Sequence, residues 1–162
     1  MRYTVLALAL AVTAITARAD AAGGPLAVQT MTLKGRCDQL EIPEIIKREI
    51  PKTVTTENCV GTLISLSSAD GQILFSFVTK DGVTISFAGP NQTKPDSNSA
   101  VLSLETVTVR VEEIINTFNA NGVCRYANPY KGPTKISCRA ETPAGSFAGD
   151  FTTDGSTPTV TK

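Results

Sequence analysis

Apolar and polar residues alternate from Gln29 to Cys37, with Met31, Leu33 and Cys37 on one parity and Thr30, Thr32, Lys34 and Arg36 on the other. Successive side chains of a strand point to opposite faces, so this is the pattern of a half-buried β-strand. The period then changes. Ile42, Ile45, Ile46 and Ile50 lie at i, i+3, i+4 and i+8, one stripe of a helix, with Pro43 suited to a first turn and Pro51 ending the run. Glu41 and Glu44 near the start, and Lys47, Arg48 and Lys52 near the end, follow the order that the helix dipole favours. The spacing predicts one short helix over residues 42–50.

Three strands in hairpin order follow from Cys59 to Gly89. Val60, Thr62, Ile64 and Leu66 alternate in the first, Asp70-Gly71 supplies a turn, and Ile73 to Lys80 forms the second. Asp81-Gly82 then separates Lys80 from Val83 by two residues that accept positive φ, which predicts a tight hairpin. In that register Val78 faces Ile85 and Ser76 faces Phe87, while Phe75 and Phe77 project from the opposite side. Apolar groups on both faces place this hairpin centrally, covered at least in part on each side.

Residues 90–99 are polar and turn-rich and read as a loop. The next strand runs from Ala100 to about Val111, but its parity flips between Leu102/Leu104 and Val107/Val109/Val111, which requires a bulge near Glu105-Thr106. Residues 112–118 fit either a continuing strand or a helical turn. Strands at 122–128, 134–141 and 145–153 complete the set. The fold these runs predict is a mainly antiparallel β-sandwich or small β-barrel of seven to eight strands with one short helix. A sandwich would have a filled core, whereas an eight-stranded barrel can hold one small ligand.

The N-terminus sets where this domain is expected to work. Arg2, an apolar stretch from Val5 to Ile15 and the small residues of Ala17-Arg18-Ala19 have the layout of a signal peptide over residues 1–19, too short to span a bilayer. Residues 20–26 read as a flexible leader, 27–153 as one β-rich domain and 154–162 as a frayed tail. Loss of Arg2 and Arg18 leaves 13 basic residues against 15 acidic ones, a formal net charge of −2. Such a chain has no global attraction for nucleic acid, and its mature part has no run long enough for a membrane span. The expected location is extracytoplasmic, either periplasmic or secreted.

Export turns Cys37, Cys59, Cys124 and Cys138 into candidates for two disulfides. Four cysteines allow three pairings, and local geometry favours one of them. If the strands carrying Cys124 and Cys138 pair about a turn near Lys131, the two cysteines lie opposite each other, with Tyr126 and Ile136 on the same face. Cys37 and Cys59 would then close the loop that holds the isoleucine helix. The spacings match neither a zinc ribbon nor a Cys-x-x-Cys redox motif, and no metal or other cofactor is expected.

The chain has no histidine and no tryptophan. The first absence removes the usual general base of Ser and Cys nucleophiles, so an enzyme here would have to work through carboxylates, Ser or Lys. Glu112 and Glu113 are adjacent and would face opposite ways on a strand, while Asp150 and Asp154 fit turn and edge positions. Asp70 and Asp81 belong to turns, and Asn91-Gln92-Thr93 matches a glycosylation acceptor triplet. Arg125, Lys135 and Arg139 share the face turned away from Cys124 and Cys138, with Lys131 in the turn, and form a candidate basic patch for an acidic ligand or partner. A solvated strand face with scattered cations balanced by Glu141 is the commoner explanation of such residues. The function expected is a non-enzymatic binding or interaction module with a protein or small-molecule ligand; the alternatives are a histidine-independent enzyme and a structural envelope protein.

Overall fold

The computed structural model describes residues 28–50 and 53–161, and the predicted signal peptide and leader lie outside them. Its elements are β1 (Val28–Glu41), α1 (Glu44–Glu49), β2 (Cys59–Ser68), β3 (Ile73–Thr79), β4 (Thr84–Gly89), β5 (Asn91–Thr93), β6 (Ser99–Val111), β7 (Ile114–Ala127), β8 (Lys135–Thr142), β9 (Gly145–Thr153) and β10 (Thr159–Thr161). Hydrogen-bonded neighbours run β1-β2-β3-β4-β6-β7-β8-β9, and β9 returns to β1. The result is a closed, antiparallel barrel of eight strands with one short helix. Of the two architectures that the alternation predicts, the chain adopts the barrel.

β1 makes closure possible by serving two neighbours in turn. Residues 28–34 pair with β2, and residues 35–41 pair with β9. A bulge between Cys37 and Gln39 resets the parity so that Leu33, Cys37 and Leu40 all turn inward and are buried. The bulge expected in β6 lies between Leu104 and Thr106 and likewise keeps Leu102, Leu104, Val107 and Val109 inside.

Inside the barrel, Phe77, Phe87, Phe147 and Phe151 are fully buried. Burying each such side chain contributes about 1.5–3 kcal/mol. Gly149 provides a seat for one of them, because a Cβ there would lie 2.7 Å from ring carbons of Phe77. An inward glycine is therefore a packing requirement at this point of β9.

One end of the barrel is closed by the excursion between β1 and β2. Its helix is shorter than the isoleucine spacing predicts, six residues after Pro43, because Pro43 provides the N-cap and Ile50 has already returned to extended backbone. Ile42, Ile46 and Val54 reach the core, whereas Ile45 is exposed. The excursion is tied to the turn between β3 and β4, where Asn58 Nδ2 donates to Asp81 Oδ2 at 2.7 Å and Lys80 Nζ to the Glu57 carbonyl at 2.9 Å. The Cys37–Cys59 disulfide closes its base, with Cα atoms 6.0 Å apart.

The β3–β4 hairpin has a different register from the one expected of a two-residue turn. Phe77 pairs with Ile85, Ser76 with Ser86 and Phe75 with Phe87. Lys80, Asp81 and Gly82 form a three-residue turn in which Gly82 takes φ 82° and its N–H donates to the Thr79 carbonyl at 3.0 Å. The extra residue shifts pairing by one, so Phe75 and Phe77 face inward together with Ile85 and Phe87, while Leu74 and Val78 share the outer parity of Ser76. Outside, Ser76 and Ser86 bond to each other at 2.8 Å.

Other expectations change locally. Within the stretch read as a loop, Asn91–Thr93 pairs with Ser103–Val101. Glu112 and Glu113 form a tight turn, with Glu112 at φ 54°, and β7 begins at once with Ile114 opposite Val111. The stretch read as a frayed tail carries β10, which pairs with Thr30–Thr32. No helix among the described residues is long and apolar enough to cross a membrane.

Candidate functional site

The end of the barrel opposite α1 is a mouth. Here the inward positions of β2 are Ser65 and Ser67, which face Phe75 and Ile73 of β3 across the ladder. Each serine has three fewer side-chain carbons than Leu63, which fills the same face of β2 further down. A pocket of about 180 Å³ results, walled by Met31, Leu33, Ile73, Phe75 and Ile136.

Its polar groups are few and particular. Ser65 is buried, yet neither its hydroxyl nor that of Ser67 bonds to any described residue, and no buried side-chain N or O atom among the described residues lacks a partner. Both hydroxyls therefore open onto the pocket space. At the rim the Tyr126 hydroxyl donates to Gln92 Oε1 at 2.6 Å, and the Tyr126 ring meets Phe75 edge-on at a centroid distance of 4.9 Å. Burial pushes the Tyr126 phenol up from its ordinary pKa, so it stays a protonated donor at neutral pH. The Gln92 amide nitrogen makes no bond to a described residue.

The frame around this mouth is rigid for reasons visible in the chain. Cys124 and Cys138 lie opposite each other on β7 and β8 with Cα atoms 4.0 Å apart, and Tyr126 faces Ile136 one step nearer the mouth. This is the pairing that the strand geometry predicts. After β7, Asn128 Oδ1 accepts from the Tyr130 N–H at 3.0 Å and caps a short 3-10 turn, Pro129–Lys131. Asp96 caps the facing loop through the N–H groups of Asn98 and Ser99 at 2.7 and 2.8 Å. Asn128 N–H donates to the Asn98 carbonyl at 2.8 Å and joins the two rims.

The basic residues singled out in the sequence are spread over the outside of the wall. Arg125, Lys135 and Arg139 lie on the outer face of β7 and β8, and Lys131 stands apart at the rim, bonded to Asn98 Oδ1. Lys135 and Arg139 both converge on Asp150, at 2.8 and 2.6 Å, and Ser137 Oγ donates to the same carboxylate at 2.6 Å. Burial alone would raise the pKa of Asp150, but hydrogen bonds from Arg139, Lys135 and Ser137 outweigh it and hold the carboxyl well below the usual range. Two of the four cations are thus engaged by an internal anion, and Arg139 also donates to Gln39 Oε1 at 2.8 Å. Of the two acids that the sequence suits to turn and edge positions, Asp150 instead lies buried mid-strand in β9, whereas Asp154 accepts from the backbone and hydroxyl of Ser156 in a turn.

Sequence reasoning missed Ser65 and Ser67 as site residues. The alternation singled out Val60, Thr62, Ile64 and Leu66, but the structure turns the opposite parity inward, Leu63, Ser65 and Ser67, because that is the face β2 shares with Phe77, Phe75 and Ile73 of β3. Among the described residues no group of His, Cys, Asp and Glu side chains could hold a metal. No protein-family model matches the chain, and neither does any curated protein or solved structure.

Proposed function

We propose that this protein is an exported, non-enzymatic binding module that holds one small, uncharged ring compound with a hydrogen-bonding substituent in its barrel mouth. The observation that carries this reading is the pair of hydroxyls, Ser65 and Ser67, that bond to no described residue and line a mostly apolar pocket of about 180 Å³. Small-molecule sites combine apolar walls with a few polar groups that fix orientation, and a dry apolar cavity of roughly 150 Å³ is enough for benzene. The two disulfides fit an oxidising compartment, which supports export. No ionised side chain lines the pocket, which favours a neutral ligand over an ionic one.

Protein-detected NMR titration with p-cresol, indole and benzamide tests the reading on the disulfide-bonded protein. At least one probe should bind with submillimolar Kd and shift the resonances of Phe75 and Tyr126, and Ser65→Phe should abolish the effect by occupying the space. Absence of binding by all three at millimolar concentration, or shifts confined to the outer wall, would overturn it.

A further inference from the structure

A barrel has a free strand edge only where neighbouring strands differ in length, and this one has such a place. β7 pairs with β6 over almost its whole span, from Ile114 opposite Val111 to Ala127 opposite Ser99. On its other side β8 reaches only from Tyr126 back to Asn121. Residues 114–120 therefore have one neighbour, and no described strand pairs with their outer edge. The tight turn makes Val111 and Ile114 a hydrogen-bonded pair, so the alternate residues Ile115, Thr117 and Asn119 turn their N–H and C=O groups away from β6. The close approach of the Thr108 and Thr117 hydroxyls, 3.0 Å, fits the non-hydrogen-bonded pair that this assigns to them.

Free edges are normally blunted by charge, proline or a bulge. The edge segment, Ile-Ile-Asn-Thr-Phe-Asn-Ala, has no charged residue and no proline, and the nearby register shift, which sets Ala120 and Asn121 of β7 against Glu105 alone, falls at its C-terminal end and leaves residues 114–119 in regular pairing. Ile114 and Ile115 are 63% and 59% exposed. Seven residues span roughly 24 Å of ladder.

Charge at its two ends indicates the occupant. Exposed Glu113 precedes the segment, and exposed Glu141 stands beside Asn121 where β8 takes over. Arg110 lies across β7 on the β6 side, with its guanidinium donating to the Glu112 carbonyl at 3.2 Å. A second copy pairing antiparallel would bring its own Glu112-Glu113 turn against Glu141, a like-charge contact, and the turn after β8 would limit its reach. We infer that the free edge of β7, residues 114–120, takes up an extended segment of a partner protein that has a basic residue at each end and uncharged β-forming residues between them. The segment adds as a strand; main-chain bonds to Ile115, Thr117 and Asn119 supply affinity and the terminal carboxylates supply register.

The probe is a capped nonapeptide, Lys-Thr-Val-Thr-Val-Thr-Val-Thr-Lys, against its counterpart with Glu at both ends, read by amide exchange on the full disulfide-bonded protein. The Lys-ended peptide should slow exchange at Ile115, Thr117 and Asn119 and leave the mouth unchanged, and the Glu-ended peptide should bind at least tenfold more weakly. Thr117→Pro removes an outward N–H without touching the β6 ladder and should lower affinity tenfold or more. Ile115→Lys, at an exposed position, should weaken the Lys-ended peptide and spare the fold. Equal binding of both peptides, protection elsewhere, no protection at all, or an edge already protected in a dimer seen by sedimentation would each overturn the inference.

Discussion

At the closed end of the barrel, the inward positions of β3 and β4 hold Phe77 and Ile85, and Ile42 just before α1 and Ile46 within it fill the space between the strand ends. At the mouth, one or two inward steps along β2, the same parity holds Ser65 and Ser67. Both ends have the same strand alternation and the same barrel geometry. Side-chain volume at the inward positions, together with the presence or absence of a covering segment, separates a packed end from a pocket. Two small polar residues on the inward parity of β2, with Ile64 and Leu66 on the outer one, thus decide whether this end of the barrel is filled or holds space.

The most forceful way to break this contrast is to hollow the closed end. Phe77→Ala should cost about 3–5 kcal/mol in urea or thermal unfolding, since the ring is fully buried against Gly149. Removing the disulfides comes next and should separate the two ends. Replacing Cys37 and Cys59 together should cost about 3 kcal/mol and speed amide exchange across residues 42–58, leaving ligand binding at the mouth intact. Replacing Cys124 and Cys138 should cost a similar amount, but here it should also weaken mouth binding, because Tyr126 and Ile136 lie one step away.

The wall between the ends offers a smaller effect with a defined pH dependence. Asp150 has its carboxyl pKa lowered in the folded state, so its stabilising contribution is complete above the ordinary carboxylate range and is lost as pH falls through that range toward the folded value. Asp150→Asn should cost about 1–3 kcal/mol near neutral pH, allowing for solvent screening of its half-exposed cationic partners, and the difference should shrink below about pH 4. Denaturation measured at several pH values checks both the size and the sign. The smallest effect is expected at the mouth itself: Ser65→Leu should change stability by less than about 1 kcal/mol while removing the pocket, since added apolar burial offsets any crowding. A large loss of stability would mean that this space is already committed to packing.

Much of the fold was legible because it is local. Strand parity in β1, β6, β8 and β9, the bulge near Glu105, and the Cys124–Cys138 pair with Tyr126 beside Ile136 all follow from period two and hairpin geometry. One failure depended on a single residue of turn length. Asp81-Gly82 reads as a two-residue hairpin turn, but Lys80 joins it, and the slip changes every cross-strand pair of β3 and β4 without altering the hydrophobic pattern. The candidate basic patch fared differently: its face was legible, but its engagement by Asp150 required β9 to lie beside β8 with Ser137 opposite Asp150.

By itself, then, the sequence determined that this is an antiparallel β protein with two cysteine pairs, a short isoleucine helix and no histidine chemistry, because periodicity, turn residues and composition are properties of neighbours along the chain. Tertiary structure alone decided that the sheet closes, that Ser65 and Ser67 face a pocket, and that β7 outruns β8 to leave a bare edge. Each of these depends on which strands meet and where they end, and a strand's pattern is the same whether its neighbour stops beside it or seven residues short.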